Sequence, residues 1–250
     1  MKRLRVLMTR EEIVADRLAG ATAVVVDVFL ATTTLLTILE NGARRVFPVA
    51  SVEEAEEVRK RLDASNVLRG GEQNSEKIEG YDLGPFPEEY PPETVANKDV
   101  VFVTTNGTRA IADAAPAERV LLGCLRNAPT VARRLGMLEA DSIYLICADG
   151  RFALDDFFGA AAILSYMKTE GWHLNDAAWM ALDFMARHRN VAETLQRGRM
   201  GRWFAEHWME TFEFVAEVGA SDLVPEVRAG QLTRGISKTC SLMPETRNLP

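Results

Sequence analysis

Cysteine and histidine are nearly missing from this chain, three of each in 250 residues. Cys124, Cys147 and Cys240 are odd in number and widely spaced, which fits neither a disulfide framework nor a zinc site. His173, His188 and His207 all fall late in the chain, so a Cys–His nucleophile pair has no support, and Cys147, at the end of an apolar run, reads as a buried structural thiol. Long apolar runs are absent too. No stretch reaches the roughly 18 residues that span a bilayer, and the basic start Lys2–Arg5 is followed only by Val6, Leu7 and Met8, too little for a signal-peptide core. The expectation is a cytoplasmic protein. Positive charge is in deficit, 29 Lys and Arg against 36 Asp and Glu for a net −7, which argues against a nucleic-acid partner while leaving room for a local basic pocket.

What is present is a globular chain, 47% hydrophobic, long enough for one large domain or two small ones. Short β-branched runs alternate with amphipathic stretches over the first 170 residues, with strands expected at 3–8, 22–28, 45–49, 66–69, 99–103, 118–122 and 141–147. Helices are expected at 10–18, 31–41, 51–63, 107–115, 127–137 and 154–169, the third opened by a Ser51/Glu54 capping box. This alternation predicts a three-layer α/β fold on a parallel or mixed sheet. Gly70–Pro92 breaks the rhythm with glycines and prolines and reads as a structureless loop covering a substrate. Residues 24–49 and 100–122 repeat the same strand, hydroxyl cluster, helix, strand order, which suggests two related α/β halves. The first is residues 1–95 with the 70–92 loop; the second is 96–250 with a helical C-terminal segment, and the two could also form one compact unit. From Asn175 onward, aromatic residues interleaved with charges read as a helical lid or bundle on the sheet. Val224–Ile236 reads as a returning strand or hairpin, and the tail from Lys238 as an irregular end.

Three clusters carry chemistry. Asp27 ends an apolar strand, at the edge where open α/β sheets place ligands, and Thr32, Thr33 and Thr34 follow it at once. A carboxylate buried there calls for a cation or donors, so the segment reads either as a metal and phosphate rim or as a helix brace. Thr104–Thr108 brings Thr105, Asn106, Gly107 and Thr108 to the end of a second strand, either as phosphate donors or as plain N-cap chemistry. It lacks the glycine-spaced lysine of a P-loop, and no other nucleotide loop is present. Cys147–Asp156 ends a third strand in a Gly-containing loop and two adjacent carboxylates, Asp155 and Asp156. Neighbours on a helix cannot point the same way, so one is expected to act and the other to support. Glu72 follows a further strand, and Arg109, Arg126 and Arg151 follow strand ends where a guanidinium could meet an anion.

The segments 24–34, 70–72, 80–87, 104–108, Asn127–Ala128 and 147–156 together resemble, in order, the 2-phosphosulfolactate phosphatase family. The resemblance implies a Mg²⁺-dependent hydrolase that converts 2-phosphosulfolactate to sulfolactate, a step toward coenzyme M in methanogens, on an uncommon α/β fold. On this reading Asp27 and Asp155 are expected in catalysis, and Asp27, Glu72, Asp155 and Asp156 around the cation. Thr32, Thr33, Thr34, Thr105, Asn106, Gly107 and Thr108 would face the phosphate, and Arg126, Asn127 and Arg151 the substrate's other anions. Two positions depart from the family pattern, Leu30 where an arginine is frequent and Asp155 where a glutamate is frequent. Attack on phosphorus by Asp27 or by a metal-bound water both stay open, although the Asp-x-Asp pattern of the haloacid-dehalogenase phosphatases is missing. The rival reading is a non-catalytic cytosolic protein that binds a small phosphorylated or sulfonated anion. The oligomeric state, including a homo-oligomer, is left open.

Overall fold

All five residues of β2 (Thr22–Val26) are buried, and successive side chains enter different cores. Val24 and Val26 join one hydrophobic cluster, Ala23 and Val25 another. The alternation is that of a strand covered on both faces, which is why the run reads as continuously apolar. The computed structural model describes residues 1–235. Around β2 the chain supplies β1 (Lys2–Leu7), α1 (Ala15–Leu18), α2 (Ala31–Glu40), β3 (Arg45–Val49), α3 (Val52–Lys60), β4 (Val67–Gln73), β5 (Glu76–Lys77), α4 (Pro92–Val95), β6 (Asp99–Val103), α5 (Gly107–Asp113) and β7 (Arg119–Gly123). There follow α6 (Ala128–Met137), β8 (Ser142–Cys147), α7 (Leu154–Ser165), β9 (Trp172–Leu174), α8 (Asp176–Arg187), α9 (Val191–Arg197), α10 (Arg199–His207), α11 (Met209–Ala216), β10 (Glu226–Arg228) and β11 (Gln231–Thr233).

The strands form one mixed sheet in the order β5-β4-β6-β3-β11-β10-β7-β2-β8-β1-β9. β4, β6 and β3 are mutually parallel, as are β7, β2, β8, β1 and β9. Between the two sets lies the antiparallel hairpin β10–β11, joined to β7 on one side and to β3 on the other, again antiparallel. Three antiparallel steps reverse the direction of one set relative to the other. The carboxyl end of β2 and that of β6 nevertheless come together, with Gly107 after β6 against Asp27 and Ala31 after β2. The α/β class and the central strands match the sequence reading. The expected return near Val224–Ile236 is the inserted hairpin; Ile236, the tail from Lys238 and Cys240 lie outside the described residues.

Two expectations are corrected. The helix expected at 10–18 is split into a 3₁₀ turn at Arg10–Glu12 and the short α1. The stretch from Gly70 is not structureless: β4 continues to Gln73, with Gly70 and Gly71 in register with Phe102 and Val103 of β6. Glycine is required at both, since a β-carbon at Gly70 would collide with the Tyr90 hydroxyl and Gly71, at φ +119°, abuts the Val103 carbonyl. The following strap is pinned by Gly71 N–H to Gly84 O at 3.1 Å, and the Glu89 carboxylate accepts from the amides of Gly84 and Phe86. At the start of β6, burial alone would raise the Asp99 carboxyl, but the guanidinium groups of Arg45 and Arg44 bring it down to about 2. Cys124 and Cys147 are buried and free, and burial holds the Cys147 thiol well above its ordinary range. No helix among the described residues is long and apolar enough to cross a membrane.

Candidate active site

The carboxyl ends of β2 and β6 meet at Asp27 and Gly107. Asp27 Oδ1 accepts from the Ala31 amide at 3.2 Å, in the first turn of α2. A β-carbon on Gly107 would fall inside the contact distance of Asp27 Oδ2 and of Ala31, so the absence of a side chain there is what lets the two edges touch. Beside them opens a cavity of about 590 Å³, within the range that encloses small ligands. Asp27, Glu72, Thr105, Asn106, Arg151, Asp155 and Asp156 line it, together with Lys77, Asp149 and Arg199.

The two adjacent carboxylates of α7 divide their roles as helix geometry requires. Asp156 turns back to the sheet and accepts from the amides of Val28, Ala148 and Asp149 at 2.9–3.3 Å, tying the end of β2 to the end of β8. Asp155 accepts no hydrogen bond from any side chain among the described residues and stays available to the cavity. Burial, reinforced by the Asp155 charge, pushes the Asp27 carboxyl up to about 7. Burial and the nearby Asp149 push Asp155 up to about 6. Asp156 is held well above the usual carboxylate range by burial and by Asp27 and Asp155. A cluster of this kind favours either a shared proton or a cation. No arginine or lysine among the described residues pairs with any of the three.

Other expected site residues are committed to the framework. Thr32 Oγ1 accepts from the Asp27 amide and lies within hydrogen-bond reach of the Asp27 and Gly123 carbonyls. Thr33 donates to Val28 O and Thr34 to Pro85 O. Thr108 and Thr104 satisfy each other's amides. Thr32, Thr33, Thr34 and Thr108 are therefore not positioned as phosphate donors: each hydroxyl is buried and bonded to the backbone. Arg126 donates to Phe214 O and Glu217 and lies over the Phe214 ring, and Asn127 braces Cys124, Leu122 and Leu223; neither lines the cavity. Glu72 accepts from Thr105 N–H and Oγ1 and from Ser75 N–H, which shapes the second edge. The Asn106 side chain makes no capping bond, and among the described residues the Asn106 and Gly107 amides have no partner. Asn106 lines the cavity and is thereby left free to meet an anion.

The opposite wall was not foreseen residue by residue. The C-terminal helix α10 closes the cavity with Met200, Trp203 and Phe204, joined by Trp208 just after it. Phe204 stacks on Phe29 at 4.7 Å between ring centres and Trp208 packs on Phe86 at the same distance. An apolar wall facing an acidic floor lowers the local dielectric and strengthens charge interactions beside it. Among the described residues no three His, Cys, Asp or Glu side chains enclose a metal by themselves. A hard cation at this floor would take the free oxygens of Asp27 and Asp155 and fill its remaining positions with water and ligand oxygens, the habit of Mg²⁺.

A family model described as 2-phosphosulpholactate phosphatase matches residues 7–230. A protein of Caldanaerobacter subterraneus subsp. tengcongensis named probable 2-phosphosulfolactate phosphatase is 39% identical over 212 residues, 83% of this chain and 88% of its own length. Proteins with the same name from Symbiobacterium thermophilum and Clostridium beijerinckii are 38% and 31% identical, covering 87% and 92% of this chain and 96% and 99% of theirs.

Proposed function

The chain belongs to the 2-phosphosulpholactate phosphatase family, and from that premise we propose that it is a Mg²⁺-dependent phosphomonoesterase releasing phosphate from 2-phosphosulfolactate. The observation that carries the reading is the junction of Asp27 and Gly107: a buried carboxylate cluster with no cation of its own, set against unpartnered amides where two strand edges converge. The donor set suits Mg²⁺, being oxygen only, with two carboxylates bonded to backbone amides alone rather than a closed cage. When bound, the cation would polarise the phosphate and neutralise charge on the leaving oxygen. Asp27 and Asp155 would hold it, and since burial raises both carboxyls, its charge would favour their ionised forms. The amides of Asn106 and Gly107, with the Asn106 side chain, meet phosphate oxygens from the β6 side. Asp156 and Glu72 hold the two edges in place through backbone amides. Trp203, Phe204 and Trp208 keep bulk water from the reacting end.

The test is release of inorganic phosphate from 2-phosphosulfolactate by the purified chain, with excess Mg²⁺ and with EDTA. Turnover with Mg²⁺ and its loss in EDTA is the expected result; equal rates in both would remove the cation from the reading. Gly107 gives a second check. Gly107→Ala pushes a methyl group onto the Asp27 carboxylate, so kcat/KM is expected to fall about 100-fold, at a stability cost of about 1–3 kcal/mol for overpacking. Activity within a fewfold of the parent would show that the two edges do not act as one site.

A further inference from the structure

Among the described residues three cationic side chains line the cavity, Lys77, Arg151 and Arg199, and they are not equivalent. Lys77 Nζ is engaged at 3.0 Å by the Asp82 carbonyl. Arg151 lies in the exposed loop after β8, tied there through its backbone amide, which donates to Asp149 Oδ1. Arg199 opens α10, with Nη2 at 3.4 Å from Asp149 Oδ2, and its side chain is 60% exposed against 18% for Asp149. An ion pair of this length and exposure is weak, so another anion can take the place of Asp149 at little cost. Arg126 cannot serve instead, because Phe214 and Glu217 occupy it outside the cavity.

On the hydrolase reading above, we propose that Arg199 is the specificity-determining residue that receives the substrate's non-phosphate anion, a carboxylate or sulfonate on the carbon chain that bears the phosphate. A guanidinium presents paired N–H donors that match two oxygens of either group. The packing of α10 fixes its base, since Phe204 of the same helix stacks on Phe29 immediately after β2. The phosphate then lies toward Asn106 and Gly107 and the second anion toward α10, with Asp27 and Asp155 between them. Asp149 tethers the guanidinium beside the cavity and gives it up to the substrate. A C-terminal helix thereby contributes to substrate choice as well as to closure.

The experiment compares the parent with Arg199→Met and Arg199→Lys on two substrates, 2-phosphosulfolactate and ethyl phosphate, which lacks a second anion. It also measures the Kd of sulfolactate by calorimetry with Mg²⁺ present. Arg199→Met is expected to raise KM for 2-phosphosulfolactate and Kd for sulfolactate about 10- to 100-fold, the loss of one charge-assisted pair, with kcat moved far less. The preference for 2-phosphosulfolactate over ethyl phosphate should fall by the same factor, and Arg199→Lys should recover part of it. An unchanged preference together with an unchanged sulfolactate Kd overturns the assignment, whether both substrates lose equally or neither moves. If the parent hydrolyses neither ester, it is the hydrolase reading that fails, and the sulfolactate Kd of parent against Arg199→Met still decides the role of Arg199.

Discussion

Asp27→Asn should lower phosphate release by at least about 10³-fold while making the metal-free protein harder to unfold. The two effects have one origin. Asp27 stands where β2 meets α2, with one oxygen held by the Ala31 amide and the other turned to the Gly107 junction, so the amide variant keeps the fold contact and loses the charge that organises the reaction. Removing a single preorganised electrostatic group at a phosphoryl or acyl site costs 10²–10³ or so, and removing a cation's anchoring carboxylate costs more. At pH 8, by contrast, the parent must ionise a carboxyl that burial and Asp155 have raised from 3.8 to about 7. That mismatch amounts to roughly 2–4 kcal/mol of native-state strain, which the neutral amide does not carry. Thermal unfolding in EDTA at pH 8 should therefore show a midpoint several degrees higher for Asp27→Asn than for the parent. Parent-like turnover by the variant would remove Asp27 from the reaction, and a lowered midpoint would show that its charge is satisfied in some other way.

The second large effect is the pH dependence of the metal-free protein, whose sign is opposite to that of an ordinary salt-bridged carboxylate. Asp27 and Asp155 titrate at about 7 and about 6 in the fold but near 3.8 in the unfolded chain. Between those values the native state binds more protons than the unfolded state, so stability falls as pH rises. The contribution is complete below about pH 4 and is lost progressively through pH 7. Asp99 acts the other way and lower down, its paired carboxyl losing its stabilising effect as pH falls from near 4 toward about 2. In EDTA the unfolding midpoint should thus decline from pH 5 to pH 8. Mg²⁺ at about 100 times its Kd adds roughly 2.7 kcal/mol at the alkaline end, where the carboxylates are free to bind it, and little at pH 5. Differential scanning fluorimetry across pH 4.5–8.5, with and without MgCl₂, reads both slopes. A flat or rising profile in EDTA would contradict the picture of a charge cluster awaiting a cation.

The floor of the site was legible because it rests on local signals. An apolar run such as Val24–Val26 ending in Asp27, and another ending at Thr104, announce buried parallel strands whose carboxyl ends carry polar residues. The split between Asp155 and Asp156 follows from helix geometry alone, and the structure gives Asp156 the supporting role. The hydroxyls of Thr32, Thr33, Thr34 and Thr108 misled for an equally physical reason. A buried threonine near a strand end satisfies nearby carbonyls and amides as readily as a ligand, and the sequence carries no sign of which will happen. The hairpin β10–β11 was visible only as a returning segment; its insertion between β3 and β7 depends on pairings more than 100 residues apart in the chain. Arg199 was invisible for the same cause. In an amphipathic helix a charged residue at helical spacing reads as a solvated face, and only the docking of α10 on Phe29, just after β2, turns it toward a cavity.

The most direct measurement of the central claim, that two opposed strand edges form one cation and phosphate site, is a crystal structure with Mn²⁺ in place of Mg²⁺ and sulfolactate plus phosphate, the cation located by its anomalous signal. The predicted result is one cation bonded by oxygens of both Asp27 and Asp155 at about 2.1–2.2 Å, with phosphate between it and the amides of Asn106 and Gly107. A cation bound without Asp27, or carried by Glu72 or Asp156 away from the Gly107 junction, would contradict the account.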